Sequence, residues 1–211
     1  MGGILKKQLK ANVVDNKQPS LKEINLYMQK NNTTSADMKN WKQHIPRHFS
    51  SKSSVWVYQS SPSFTKEQVK NIQENIDSFT NSWLSHKQPV QAWGAVLFNR
   101  FIILMADETL VQVSGCAKDS MMHFIQSIQK QYTVDLLTRT QLAFIKNNTI
   151  EILPIDILAK KIASAEIDER TLYFNNTISN KHQLLHEWII EVQHSWLKQK
   201  YSTFQTTVPT P

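Results

Sequence analysis

Val55-Trp56-Val57-Tyr58-Gln59, closed by Ser60-Ser61-Pro62 and followed by Thr65-Lys66-Glu67-Gln68, is the stretch of sequence on which the fold turns. The β-branched and aromatic residues of Val55–Tyr58 predict a buried strand, and the Ser-Ser-Pro cluster ends it. Thr65 with Gln68 three positions later has capping-box spacing, in which each side chain satisfies a backbone amide of the other residue. Val69, Ile72, Ile76, Phe79 and Trp83 then recur at three- and four-residue intervals, so a long helix presents one apolar stripe. Such a helix asks for a sheet beneath it.

Further along, the apolar runs Val90–Phe98 and Phe101–Met105 flank Asn99-Arg100. This predicts a two-residue hairpin in which Asn99 takes the left-handed conformation. A second helix, with Met121, Met122, Phe124, Ile125 and Ile128 as its apolar side, is expected to start at Asp119 or Ser120. Gln141–Lys146 and Thr149–Leu153 predict another hairpin around Asn147-Asn148. Residues Ile155–Ala163 read as a short helix and Thr171–Asn175 as a strand, while Leu184–Trp196 reads equally as strand or helix. The order strand, helix, strand, strand, helix, strand is that of an α+β two-layer sandwich, a ferredoxin-like βαββαβ core with an added hairpin strand and a C-terminal extension.

The net charge of +7 over 211 residues invites a nucleic-acid reading, but its distribution argues against a basic folded groove. Residues 1–50 hold nine Lys/Arg against three Asp/Glu, leaving fifteen against fourteen for the rest. Residues 1–40 therefore read as a flexible basic arm, 41–202 as a single α+β domain, and 203–211 as a disordered tail. Contact of the arm with nucleic acid or an anionic surface is one expectation, and a protein partner for the domain is the other. One cysteine forms no intramolecular disulfide, which fits a reducing, cytoplasmic setting. No apolar run approaches the length of a membrane span.

With only Gly2, Gly3, Gly94 and Gly115, the chain holds neither a P-loop nor a dinucleotide fingerprint. Gly-x-Ser-x-Gly and His-Glu-x-x-His are also missing. His182, His186 and His194, near Glu187 and Glu191, read as a solvated surface, so no metal and no cofactor are expected. Chemistry is best placed at Ser114-Gly115-Cys116-Ala117-Lys118-Asp119, where a strand end meets a helix start. Ser114, Gly115, Cys116, Lys118 and Asp119 are the candidate binding residues there. A helix N-terminus and Lys118 would favour an anion or a thiolate, and His123 would be the base of a Cys116/His123 pair. A binding or adaptor protein is the leading expectation. A thiol-dependent enzyme or redox sensor using Cys116 is the alternative.

Val55–Ser60, Arg100-Phe101-Ile102-Ile103-Leu104, Ser114-Gly115-Cys116, Val134-Asp135-Leu136 and Ser195-Trp196 together resemble a family of small Bacteroidota proteins often labelled "ABC transporter ATPase". The resemblance runs from about Trp41 to Tyr201. In that family the loop reads Ser-Gly-Cys-Ser-Ile-Asp-Lys-Ser, of which this chain keeps Ser114, Gly115, Cys116 and Asp119. The family's Val-Asp-Leu-Phe-Asp-Arg stands here as Val134-Asp135-Leu136-Leu137-Thr138-Arg139. What the resemblance implies is a transporter-associated protein without ATPase activity of its own, because neither a Walker A motif nor Leu-Ser-Gly-Gly-Gln is present.

Overall fold

The computed structural model describes residues 41–147 and 149–200; the basic arm of residues 1–40 and the tail of residues 203–211 lie outside the described residues. Strand β1 (Ser54–Gln59) leads into helix α1 (Lys66–Ser82). Thr65 is the N-cap of α1, and both halves of its capping box with Gln68 are present. After the two-residue strands β2 (Leu84–Ser85) and β3 (Gln88–Pro89) come β4 (Gln91–Leu97) and β5 (Phe101–Asp107). Helix α2 (Gly115–Tyr132), strands β6 (Gln141–Lys146) and β7 (Thr149–Pro154) and helix α3 (Leu158–Ala163) follow. Strand β8 (Leu172–Phe174), helix α4 (Lys181–Glu187) and strand β9 (Ile189–Glu191) complete the elements.

The first βαββ unit folds as a split motif, with β5 antiparallel to both neighbours in the order β1-β5-β4. The fourth strand of a ferredoxin-like sheet would be β6, but β6 pairs with β7 and β8 in a separate sheet of order β7-β6-β8-β9. The two sheets pack on each other, so the two-layer expectation gives way to four layers. Helices α1 and α2 cover one face of the first sheet, through Ile72, Ile76, Ile125 and Ile128 against Tyr58, Ile102 and Leu104. Its other face, with Val57, Leu97, Phe101 and Ile103, meets Ala143, Ile145 and Phe174 of the second sheet. The second sheet's far face, Leu142, Phe144 and Tyr173, is covered by Leu158 and Ile162 of α3. The α+β class holds, and each strand's alternation sorts its side chains between two interiors.

Two boundaries differ from the sequence reading, and a third stretch that it left open is resolved. Helix α2 starts at Gly115 behind the N-cap Ser114, whose hydroxyl accepts from the Ala117 amide, so Gly115 to Asp119 are already helical rather than a loop before Asp119 or Ser120. In the β4–β5 connection Leu97 faces Phe101, leaving a three-residue loop in which both Phe98 and Asn99 have positive φ. Phe98 tolerates that strain because its ring is buried between Trp41, Phe101, Phe174 and Trp188. Residues Leu184–Trp196 are divided between the end of α4, strand β9 and a 3-10 turn at Val192–His194.

Helix α1 approaches β4 closely enough that only glycine fits at position 94. A Cβ there would lie 2.6 Å from Ile76 Cγ2, 2.7 Å from Leu104 Cδ2 and 3.0 Å from the Ile103 carbonyl oxygen. Gly94→Ala is expected to lower unfolding stability by about 1–3 kcal/mol through overpacking, read from urea midpoints. Gly115→Ala is the control, since its Cβ meets nothing within 4 Å. Equal stability of the two variants would show that α1 shifts freely over the sheet.

A strap of residues 41–53 laces the start of the described chain to α4. The Lys181 ammonium, buried, donates to the carbonyls of Pro46 (2.7 Å), Arg47 (3.2 Å) and Phe49 (2.5 Å). The Lys181 and His182 amides bond the Ser53 and Ser51 carbonyls, each at 2.9 Å. Asp107 holds the strap from the other side, accepting from the Ser50 amide at 2.6 Å and from Thr109. Burial pushes the Asp107 carboxyl up, yet the bonds from Thr109 and Ser50 outweigh it and hold the group below its ordinary value.

Candidate functional site

The Ser114–Asp119 segment does not assemble as a site by itself. Ser114 is spent as the cap, Cys116 is exposed in the first turn of α2, and Gly115, Lys118 and Asp119 are exposed beside it. His123 is also exposed, seven residues beyond Cys116, which places it roughly 10 Å further along the helix axis. The Cys116/His123 pair is therefore not brought together. His182 and His186 do meet on α4, with ring centroids 4.6 Å apart. Burial, His182 and Lys42 all depress the pKa of His186. Among the described residues no cluster of three or more His, Cys, Asp or Glu side chains is placed to hold a metal ion.

One residue of the segment does reach a larger feature. Lys118 lines a groove of about 500 Å³ that runs along β1, the edge strand of the first sheet, with Ser54–Val57, Arg139 and residues 176–179 as the remaining wall. The antiparallel ladder explains what the groove offers. Residues whose backbone groups do not bond β5 point them outward, and for β1 these are the odd-numbered ones. The Val55 amide reaches the Ser179 carbonyl at 2.9 Å, and Arg139 Nη1 donates to the Val57 carbonyl at 3.2 Å. Between these two bonds the Val55 carbonyl and the Val57 amide face the groove without a partner among the described residues.

Both cations sit on the helix side of that edge. Arg139, exposed, lies over the Tyr58 ring at 5.9 Å from its centroid, and Tyr58 belongs to the interior beneath α1 and α2. Burial raises the pKa of the Tyr58 phenol while the Arg139 charge pulls it back. The Lys118 side chain is exposed, and its ammonium has no hydrogen-bond or ion-pair partner among the described residues. Glu108, at the mouth of β1, is held by the Ser54 hydroxyl and the Val113 amide.

Beyond Arg139 the groove continues into a pocket of about 80 Å³ that shares Arg139, Asn176 and Thr177 with it and includes Trp196. Trp196 is 42% exposed and donates through Nε1 to the Tyr173 hydroxyl at 3.1 Å. Burial pushes Tyr173 up to about 12, with the Trp196 bond acting the other way. Trp188, by contrast, is wholly buried, so of the two C-terminal tryptophans Trp196 is the surface one.

The opposite edge of the sheet is occupied. The Gln73 side-chain amide, from α1, donates to the Gly94 carbonyl at 3.1 Å and accepts from the Val96 amide at 3.1 Å. It stands on β4 where a neighbouring strand would place a peptide group, although a groove of about 620 Å³ lies alongside. Arg139 and the β1 edge were missed by the sequence reading. Arg139 is signalled only as the last residue of the Val134–Arg139 motif.

Compared with known proteins, the chain matches no family model, no curated protein and no solved structure. Among the described residues no helix is long and apolar enough to cross a membrane.

Proposed function

We propose that this chain is a cytosolic binding or adaptor protein that contacts another protein through the groove along β1. One observation carries the reading: two unpaired backbone groups of the sheet edge, the Val55 carbonyl and the Val57 amide, line a groove that is flanked by two exposed cations, Lys118 and Arg139. Unsatisfied strand edges are templates for pairing with another chain, and proteins usually cover them as Gln73 covers β4. The exposed Trp196 at the far end adds an aromatic anchor of the kind enriched in interfaces. A free, exposed Cys116 is consistent with a reducing compartment.

The test is affinity capture with the full chain as bait. A stoichiometric partner is expected with the wild type and with Lys130→Glu, an exposed charge reversal at the other end of α2, and its recovery should fall about tenfold with Lys118→Glu. The exposed Lys118 side chain makes no hydrogen bond or ion pair among the described residues, so the variant stays folded. A partner that ignores Lys118→Glu, or none at several salt concentrations, overturns the reading.

A further inference from the structure

Resting on that reading, we infer that the occupant of the β1 groove is an extended acidic peptide segment that adds to the sheet as a strand parallel to β1. The direction follows from which edge groups are still free. An antiparallel ligand residue exchanges both of its backbone bonds with one residue of the strand it joins. On Val55 the amide is already held by Ser179, and on Val57 the carbonyl is already held by Arg139. A parallel ligand residue divides its bonds between two residues flanking the one it faces. Opposite Trp56, its N–H would meet the Val55 carbonyl and its C=O the Val57 amide, the two groups left open. That residue needs neither the bond held by Ser179 nor the one held by Arg139.

The same register sets the charge pattern of the ligand. Paired residues on adjacent strands project to the same face, so the ligand residue opposite Trp56 projects to the helix side. There Trp56 packs against the cluster beneath α1 and α2. The next residue on that face stands opposite Tyr58, under Arg139. Lys118 flanks the start of the same groove. Carboxylates on alternate residues therefore face two cations, and Arg139 keeps most of its five N–H donors free for a carboxylate. This strand-addition mode draws affinity from main-chain bonds and specificity from alternate side chains. The basic arm of residues 1–40, carrying Lys6, Lys7, Lys10, Lys17, Lys22, Lys30 and Lys39 against three acids, has the wrong sign to fill this groove.

Fluorescence anisotropy of a labelled peptide Thr-Val-Glu-Val-Glu-Val-Thr against the full chain tests the inference. Binding is expected to weaken about tenfold for Lys118→Glu, and by a similar factor when both glutamates of the peptide become lysine. N-methylation of a glutamate facing the edge should also weaken it about tenfold, whereas N-methylation of the intervening valine, whose N–H points away, should leave it unchanged. Hydrogen exchange at the Val57 amide should slow in the complex. Binding that ignores every N-methyl group overturns strand addition. Equal binding of the lysine peptide, or displacement by a short dT oligonucleotide at lower concentration than by unlabelled peptide, overturns the acidic-peptide assignment. If no peptide binds while Lys118→Glu still abolishes the captured partner, this inference fails and the proposed function stands. Failure of both experiments removes both.

Discussion

Trp188→Ala is expected to destabilise the protein by about 3–5 kcal/mol, the range for deleting a large aromatic side chain from a closed interior. Trp188 is fully buried at the centre of a ring cluster, with centroids 5.0 Å from Trp41, 5.6 Å from Phe98, 5.2 Å from Phe101 and 5.3 Å from Phe174. Those partners come from the strap, the β4–β5 turn, β5 and β8, so the cavity left behind is walled by parts of both sheets and cannot collapse by moving one of them. The indole also donates to Asn176 Oδ1 at 3.0 Å, and Asn176 in turn donates to Gln59 at 2.7 Å. Trp188→Phe keeps most of the packing and isolates that bond, for a loss of about 1 kcal/mol. Urea unfolding followed by far-UV circular dichroism measures both. A loss below about 1 kcal/mol for Trp188→Ala would mean that the two sheets repack around the gap.

Lys181→Met should cost about 3 kcal/mol, although it places an apolar side chain of similar length in a buried position. The ammonium's three donors meet three carbonyls, and bonds to a charged group are worth more than neutral ones. Removing the ammonium leaves the Pro46, Arg47 and Phe49 carbonyls without that donor. It also removes the positive charge that interacts with Asp107. Burial depresses the Lys181 pKa, with Asp107 pulling it back, so the charge is held at some cost and the three carbonyls must offset it. Residues 46–53 should then loosen first, with faster amide exchange at Phe49 and Ser53, whose bonds close turns within the strap. A variant as stable as wild type, with unchanged exchange there, would show that the strap is held by its aromatic contacts alone.

How far the sequence anticipated these features depends on whether their cause is local. Helix α1 could be read because Thr65, Gln68 and the apolar stripe lie within its own span. The division into two sheets could not be read that way, since no local rule says whether β6 joins β1 or starts again. A signal was nevertheless present. Phe101-Ile102-Ile103-Leu104-Met105-Ala106 is unbroken and wholly buried, whereas a strand covered on one side alternates. The start of α2 was misplaced because Ser114 caps without a Glu or Gln three residues on, while Asp119 and Ser120 also suit a cap. At the candidate site, Lys118 was singled out for its nearness to Cys116, but it gains its setting from Arg139 and β1, which sequence distance hides. Lys181 carried no signal at all, because a lysine in a polar stretch is almost always solvated.

The strap has a further consequence for the chain during its synthesis. The Lys181 ammonium and the Pro46 carbonyl it holds are 135 residues apart, and Lys42 reaches the Leu185 carbonyl across 143. Closing contacts of such separation is slow, and here it is impossible until α4 has been made. Trp41, Ile45 and Phe49 emerge from the ribosome well before Leu184, Trp188 and Ile189, which complete their burial. Until α4 follows, the growing chain therefore displays an aromatic segment whose cover is incomplete, a natural handhold for a chaperone.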